Sequence, residues 1–272
     1  MSNLASRILT ALIALPLLFW SIWVETPYFF IAIILAATLL GLTEYHHLVQ
    51  KLDIKPVAWI GFLGLLGSHA LFFFGLAVYY PALVAVVLAL LMLHAVFTER
   101  DFKKALPGHA ATLFGVLYLG ALLGFLIAVK RIEPTGTGSR LLTLFLFIVM
   151  AGDVFAYFAG RAFGRHKLAP AISPGKTIEG SIGGVLGSVG FAILSKFWYF
   201  PALPLAHAIG LAVIMNAIGQ IGDLYESLLK RGSDTKDAAS VLPGHGGFLD
   251  RLDSLLFNAP VLYYYAVFFL KG

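Results

Sequence analysis

Ten of the chain's 33 Asp, Glu, Lys and Arg residues fall within residues 223 to 253, DLYESLLKRGSDTKDAASVLPGHGGFLDRLD, directly after a long apolar run. A charged group at membrane depth costs roughly 2.5 to 3.5 kcal/mol, so such crowding beside a hydrophobic span implies a charged ligand. On a helix, Asp223, Glu226, Ser227, Lys230 and Arg231 share one face. Carboxylates and a hydroxyl come first along that face, and the two cations follow one to two turns later. The order suits a divalent cation at Asp223 with Ser227 in reach, and Lys230 and Arg231 on phosphate oxygens that share the metal. Pro243, Gly244, Gly246 and Gly247 around His245 exclude regular helix and let backbone approach a ligand closely. Asp250, Arg251 and Asp253 then open the next helix. Magnesium takes one or two carboxylates plus phosphates and water, so Asp223 and Asp250 meeting from two helices would suffice. Zero cysteines exclude thiolate metal sites and disulfides. The competing reading is a solvated helix end with ordinary i,i+4 ion pairs, against which stand the apolar setting of Asp223 and the glycines after Pro243.

A second group lies upstream. Asp153 interrupts the otherwise apolar stretch LFLFIVMAGDVFAYFAG, where a carboxylate faces a bundle interior or a wet cavity. After Arg161, Arg165 and Lys167 comes SPGKTIEG, from Ser173 to Gly180. The phosphate-loop pattern requires a glycine where Pro170 stands, so this GKT is not a nucleotide loop. It reads instead as a loop entering a helix, with Ser173 and Pro174 at the N-terminus and Lys176 placed either to meet a phosphate or to snorkel. Gly180, Gly183, Gly184 and Gly187 give the close-approach spacing of packed membrane helices, and they raise the expectation of a homodimer.

The elements that must position these groups are membrane spans. The chain is 60% hydrophobic and 12% charged, about half the charge content of soluble domains. About nine apolar segments are near the length that crosses a bilayer: 8–24, 28–44, 57–75, 81–97, 110–129, 141–160, 178–198, 204–222 and 254–270. The fold expected is all-α, a polytopic transmembrane helix bundle forming one multi-pass domain over 1–272. Residues 1–150 are its scaffold spans and 151–272 its catalytic half. Basic residues alternate between loops, which places the N-terminus and residues 223–253 in the cytoplasm. Glu44, His46 and His47 read as a solvated helix end. The net charge of +5 follows from topology, and nucleic acid is not an expected partner.

Ser227, Lys230, Arg231, Lys236, Asp237, His245, Gly246, Gly247, Asp250, Arg251 and Asp253, at these spacings, resemble the signature of the phosphatidate cytidylyltransferases, the CDP-diacylglycerol synthases. SPGKT followed by EG, and the segment around Asp153, are similar to that family's upstream region. The overlap covers about residues 150 to 255, and the layout suits a bacterial inner-membrane member. The resemblance implies transfer of a cytidylyl group from CTP to phosphatidic acid at the bilayer surface. It implies Mg2+ at Asp223 and Asp250, with Asp253 orienting Arg251 or helping a second cation. It gives Lys230, Arg231, Lys236 and Arg251 to the phosphates, joined by Lys176, with Ser173, Ser227, Gly246 and Gly247 lining the substrate and Asp237 bracing Lys236 or the loop. It leaves His245 as an acid or base or as a donor to phosphate, and the donor role is favoured because an anionic nucleophile needs no strong base. A CTP-dependent lipid kinase and an anion transporter or channel are the rival readings.

Overall fold

The computed structural model describes residues 3–98, 102–132, 136–235 and 247–270. Helices α1 (Asn3–Trp23), α2 (Tyr28–Gln50), α3 (Ala58–Phe74), α4 (Tyr80–Thr98) and α5 (Phe102–Gly115) are followed by a π-helical turn at Val116–Ala121 that runs into α6 (Leu122–Lys130). Then come α7 (Thr137–Phe163), strands β1 (Lys167–Ala169) and β2 (Ser173–Thr177), α8 (Ile178–Trp198), α9 (Leu205–Gly232) and α10 (Leu249–Phe269). All nine expected apolar segments are helical. Among the described residues, seven helical segments are long and apolar enough to cross a membrane, and Leu12–Trp23 and Ala58–Phe74 are shorter apolar helices. A bilayer offers the backbone no hydrogen-bond partner, and the helix answers this by pairing its amides internally.

The chain packs as two units, Met1–Arg131 with Leu229–Leu252, and Ile132–Leu228 with Asp253–Gly272. The signature segment 223–253 therefore contributes to both.

In the first unit, α3 packs against α4, α6 and the π turn. Val57, Ile60, Val87 and Leu91 form a buried apolar cluster. His69 is satisfied inside the unit, with Nε2 3.1 Å from Thr38 Oγ1 and Nδ1 3.1 Å from the Leu65 carbonyl. The end of α2 departs from the expected solvated terminus. The helix runs on to Gln50, which buries Glu44 and His46 and leaves His47 exposed.

In the second unit, α7 and α8 lie in close contact along a seam of small residues. A Cβ on Gly183 would strike Ala159, one on Gly187 would come within 2.5 Å of Phe155, and one on Gly180 within 3.2 Å of Gly160. The glycine spacing that raised a homodimer is thus occupied within the chain, by α7. Polar side chains tie the layers together. Ser188 Oγ donates to the Ile148 carbonyl at 2.8 Å, Asn216 Nδ2 donates to Ser188 Oγ at 3.0 Å, Gln220 Nε2 donates to Asn216 Oδ1, and Ser181 Oγ donates to Gln220 Oε1.

The SPGKT stretch is a correction to the sequence reading. It forms β2, antiparallel to β1, with Lys167 opposite Thr177 and Ala169 opposite Ser173. The helix starts later than Ser173 and Pro174, at Ile178, capped by Thr177, whose Oγ1 accepts the Gly180 N–H at 3.1 Å. Threonine serves as an N-cap as serine does, and here Pro174 lies in a two-stranded sheet whose strands are both edges. Glu179 in the first turn of α8 accepts the Arg165 N–H at 3.1 Å and the His166 N–H at 3.2 Å, which fixes the approach to the hairpin.

Candidate active site

Within the second unit, Asp223 and Glu226 stand one turn apart on α9, and Asp253 comes from α10. One ligand oxygen from each lies within 4.8 Å of the other two. Glu226 is fully buried, while Asp223 and Asp253 are half-buried. Lys176 reaches this group from β2, its Nζ 2.6 Å from Asp223 Oδ2. The hairpin gives that lysine its place, since Thr177 ends the strand and starts α8 beside it. Asp153 on α7 lies close enough to interact with the charges of Asp223, Asp253 and Lys176.

Below the carboxylates, Asp153, Asn216, Gln220, Ser254 and Asn258 line a recess together with Gly152, Gly219 and apolar side chains. Gly219 leaves room for Asn258 there, since a Cβ would sit 2.8 Å from Asn258 Nδ2 and push that amide aside. The close approach of α9 to α10 depends on Gly222 as well, where a Cβ would meet the Asp253 carbonyl at 2.5 Å. The donor set around Asp223 is all oxygen, drawn from two helices, in a chain without sulfur ligands from cysteine. Hard divalent cations take such donors, with carboxylates shared between protein and phosphate ligands.

Within the first unit, Lys230 on α9 holds Asp250 on α10, Nζ to Oδ1 at 2.6 Å, and both side chains are largely buried. Asp250 Oδ2 accepts the Gly247 N–H at 2.8 Å. Both oxygens of this expected metal ligand are therefore engaged, one by an expected phosphate-binding lysine. Arg231 and Arg251 are exposed. Ser227 and Ser173, both half-buried, belong to the second unit, Ser227 next to Glu226 on α9 and Ser173 at the start of β2. Lys236, Asp237, His245 and Gly246 lie outside the described residues.

Two residues carry more than the sequence reading gave them. Glu226 was placed on the charged face but not among the metal ligands, although its spacing of three from Asp223 on a helix was the available signal. Glu44 on α2 accepts the backbone N–H of Phe248 at 2.9 Å and of Leu249 at 2.8 Å. No local spacing could have announced that contact.

Fold and site define the class: a multi-pass membrane protein whose second unit collects four carboxylates and a lysine, chemistry suited to a cation and the phosphates it neutralises. The model of the cytidylyltransferase family matches residues 5–269. Among relatives named phosphatidate cytidylyltransferase, the Bacillus subtilis protein is 32% identical, covering 99% of this chain and 100% of its own. The Brucella abortus protein is 33% identical over 100% and 96%. The Aquifex aeolicus protein is 35% identical over 73% of each chain. The chain belongs to the cytidylyltransferase family and is a nucleotidyltransferase enzyme.

Proposed function

We propose that this enzyme transfers the cytidylyl group of CTP to phosphatidic acid, giving CDP-diacylglycerol and pyrophosphate. The observation that carries the reading is the meeting of Asp223, Glu226 and Asp253 beside Lys176, inside a chain that matches phosphatidate cytidylyltransferases end to end. A phosphate oxygen of the lipid attacks the α-phosphorus of CTP. The bond from that phosphorus to the bridging oxygen breaks, and pyrophosphate leaves with the electron pair. The attacking group is already anionic, so the chain's work is positioning and charge neutralisation rather than strong base catalysis.

Asp223, Glu226 and Asp253 would hold magnesium, which when bound supplies neutralising charge to the phosphate oxygens. The resemblance gives Asp250 the same task and allows for a second cation. Lys176 is the side chain seated at the carboxylates, 2.6 Å from Asp223, and would be free to meet a phosphate were Asp223 to hold the cation. Lys230, Arg231, Lys236 and Arg251 grip phosphates, His245 donates to one, Asp237 braces the loop, and Ser173, Ser227, Gly246 and Gly247 line the substrate. The protein sits in the bacterial inner membrane with its N-terminus and active site facing the cytoplasm, where CTP arrives from solution and phosphatidic acid stays in the bilayer. The reading requires no second copy of the chain, since α7 occupies the glycine seam of α8.

The test is product identity. Detergent-solubilised protein given labelled CTP, phosphatidic acid and magnesium should yield labelled CDP-diacylglycerol and release pyrophosphate. Release of CDP with a newly phosphorylated lipid would establish the lipid kinase instead, and solute flux in vesicles without CTP turnover the transporter.

A further inference from the structure

We propose that Glu44 is a positioning residue for the transfer reaction, acting from α2 on the first turn of α10; the proposal rests on the reading given above. Glu44 is 1% exposed, among the buried Leu42, Tyr45 and Leu48 of its own helix. Carboxylates are almost never fully buried without partners, and its partners are backbone. Its two oxygens take one N–H each, from Phe248 and Leu249. Amides at the start of a helix have no partner within the helix and require an acceptor. An N-cap normally supplies one from its own side chain. The residues just before Leu249 are Gly247 and Phe248, neither of which has an oxygen to offer. The cap is therefore brought in from α2, 204 residues away. The same helix grips that turn at a second point, since a Cβ on Gly41 would lie 3.3 Å from Leu252.

What this cap fixes is the stretch that carries the chemistry. Gly247 donates to Asp250, and Asp250 in turn holds Lys230, so the aim of both charged groups depends on where the α10 backbone begins. Arg251 lies in the same turn. Stability alone would be served by Ser or Asp at position 248. A buried glutamate on another helix sets, in addition, the position of that turn relative to α2. Glu44 itself touches no substrate; it acts through Asp250 and Lys230.

The experiment compares wild type, Glu44→Gln and Glu44→Asp as full-length protein in detergent, measuring magnesium–CTP binding by calorimetry and turnover with phosphatidic acid. Glutamine keeps the shape but presents an amide donor to one of two N–H groups, and aspartate keeps the charge on a shorter arm. The expected result is a dissociation constant for magnesium–CTP at least fivefold higher in Glu44→Gln, a kcat about tenfold lower, and intermediate values in Glu44→Asp. A residue needed only for folding would lower the active fraction while leaving the binding constant and half-saturating concentrations unchanged, and that outcome overturns the proposal. Failure of both variants to give a folded, monodisperse species also overturns it, by making Glu44 a residue of the fold. If wild type binds CTP without making CDP-diacylglycerol, the transfer reading falls, while the ratio of binding constants still decides whether Glu44 positions the turn.

Discussion

Three carboxylates within 4.8 Å of one another are a standing electrostatic cost, and Asp253→Asn measures it. At 4.8 Å and an effective dielectric of about 20, each pair of full charges repels by roughly 3.5 kcal/mol. Asp253 takes part in two such pairs, and Lys176 lies against Asp223, at 2.6 Å, rather than against Asp253. Asparagine retains an oxygen to accept the Ser254 N–H that Asp253 now accepts, so the substitution removes charge while keeping the local hydrogen bond. Relaxation of the half-buried side chains limits the relief to about one pair, near 3 kcal/mol, which for a chain of this size is roughly 6 to 12 °C in melting temperature. That gain is expected only without divalent cations. Magnesium at 100 times its dissociation constant stabilises wild type by about 2.7 kcal/mol, and the variant should lose most of this increment along with its turnover.

The assay is a thermal scan of detergent-solubilised wild type and Asp253→Asn, each in a chelator and in saturating magnesium. The variant should melt well above wild type in the chelator, and the gap should close to near zero in saturating magnesium. A variant that melts at or below wild type in the chelator, and still gains the full magnesium increment, would refute both the repulsion and the cation site.

Lys176→Met removes the cation paired with Asp223 at 2.6 Å. It should lower stability in a chelator by about 1 kcal/mol after solvent screening, enlarge the magnesium-induced shift, and raise the CTP concentration for half-maximal rate. Unchanged scans and an unchanged CTP curve would remove Lys176 from the site. Lys230→Ala removes the ammonium that holds the largely buried Asp250 and should cost about 3 kcal/mol of stability, read by thermal melting. Adding Asp250→Asn should recover most of that stability without restoring turnover. Gly183→Val drives side-chain atoms into Ala159 across the α7–α8 seam and should cost about 1 to 3 kcal/mol by the same measurement.

Signals carried by composition or by spacing along one helix were legible in the sequence. Every apolar segment is helical, because a run of apolar residues without water must satisfy its backbone internally. The face shared by Asp223 and Glu226 follows from a period of 3.6, and the glycines of α8 from their spacing of three and four. Even there, spacing gave the contact but not the partner. A seam of small residues fits a neighbouring helix of the same chain as well as one from another copy, and only the coordinates show α7 filling it. The β1–β2 hairpin escaped for a related reason: β1 is three residues long, too short for alternation to register, and Ser173 and Thr177 are equally good caps by type. Thr177 prevails because β2 extends through it before the backbone turns into α8.

The contacts that decide how the charged groups are held join residues far apart in the chain, and no pattern within either segment encodes them. Asp250 stands out in the sequence because an aspartate opening a helix after a glycine run is a local signal. That its oxygens rest on Lys230 and the Gly247 amide is a property of the fold. Glu44 is the extreme case. Beside His46 and His47 at the end of an apolar run it has every mark of a solvated helix end, and its burial becomes intelligible only once α10 begins against it with two unpartnered amides. The pairings also give the site a direction. Asp223 sits against Lys176, a lysine expected to bind phosphate, so a cation on the one and a nucleotide phosphate on the other would satisfy both groups at once. Either ligand alone would leave a charge of one sign exposed in an apolar setting. Binding of magnesium and CTP should therefore be mutually reinforcing, and calorimetry that finds CTP affinity independent of magnesium would remove this coupling.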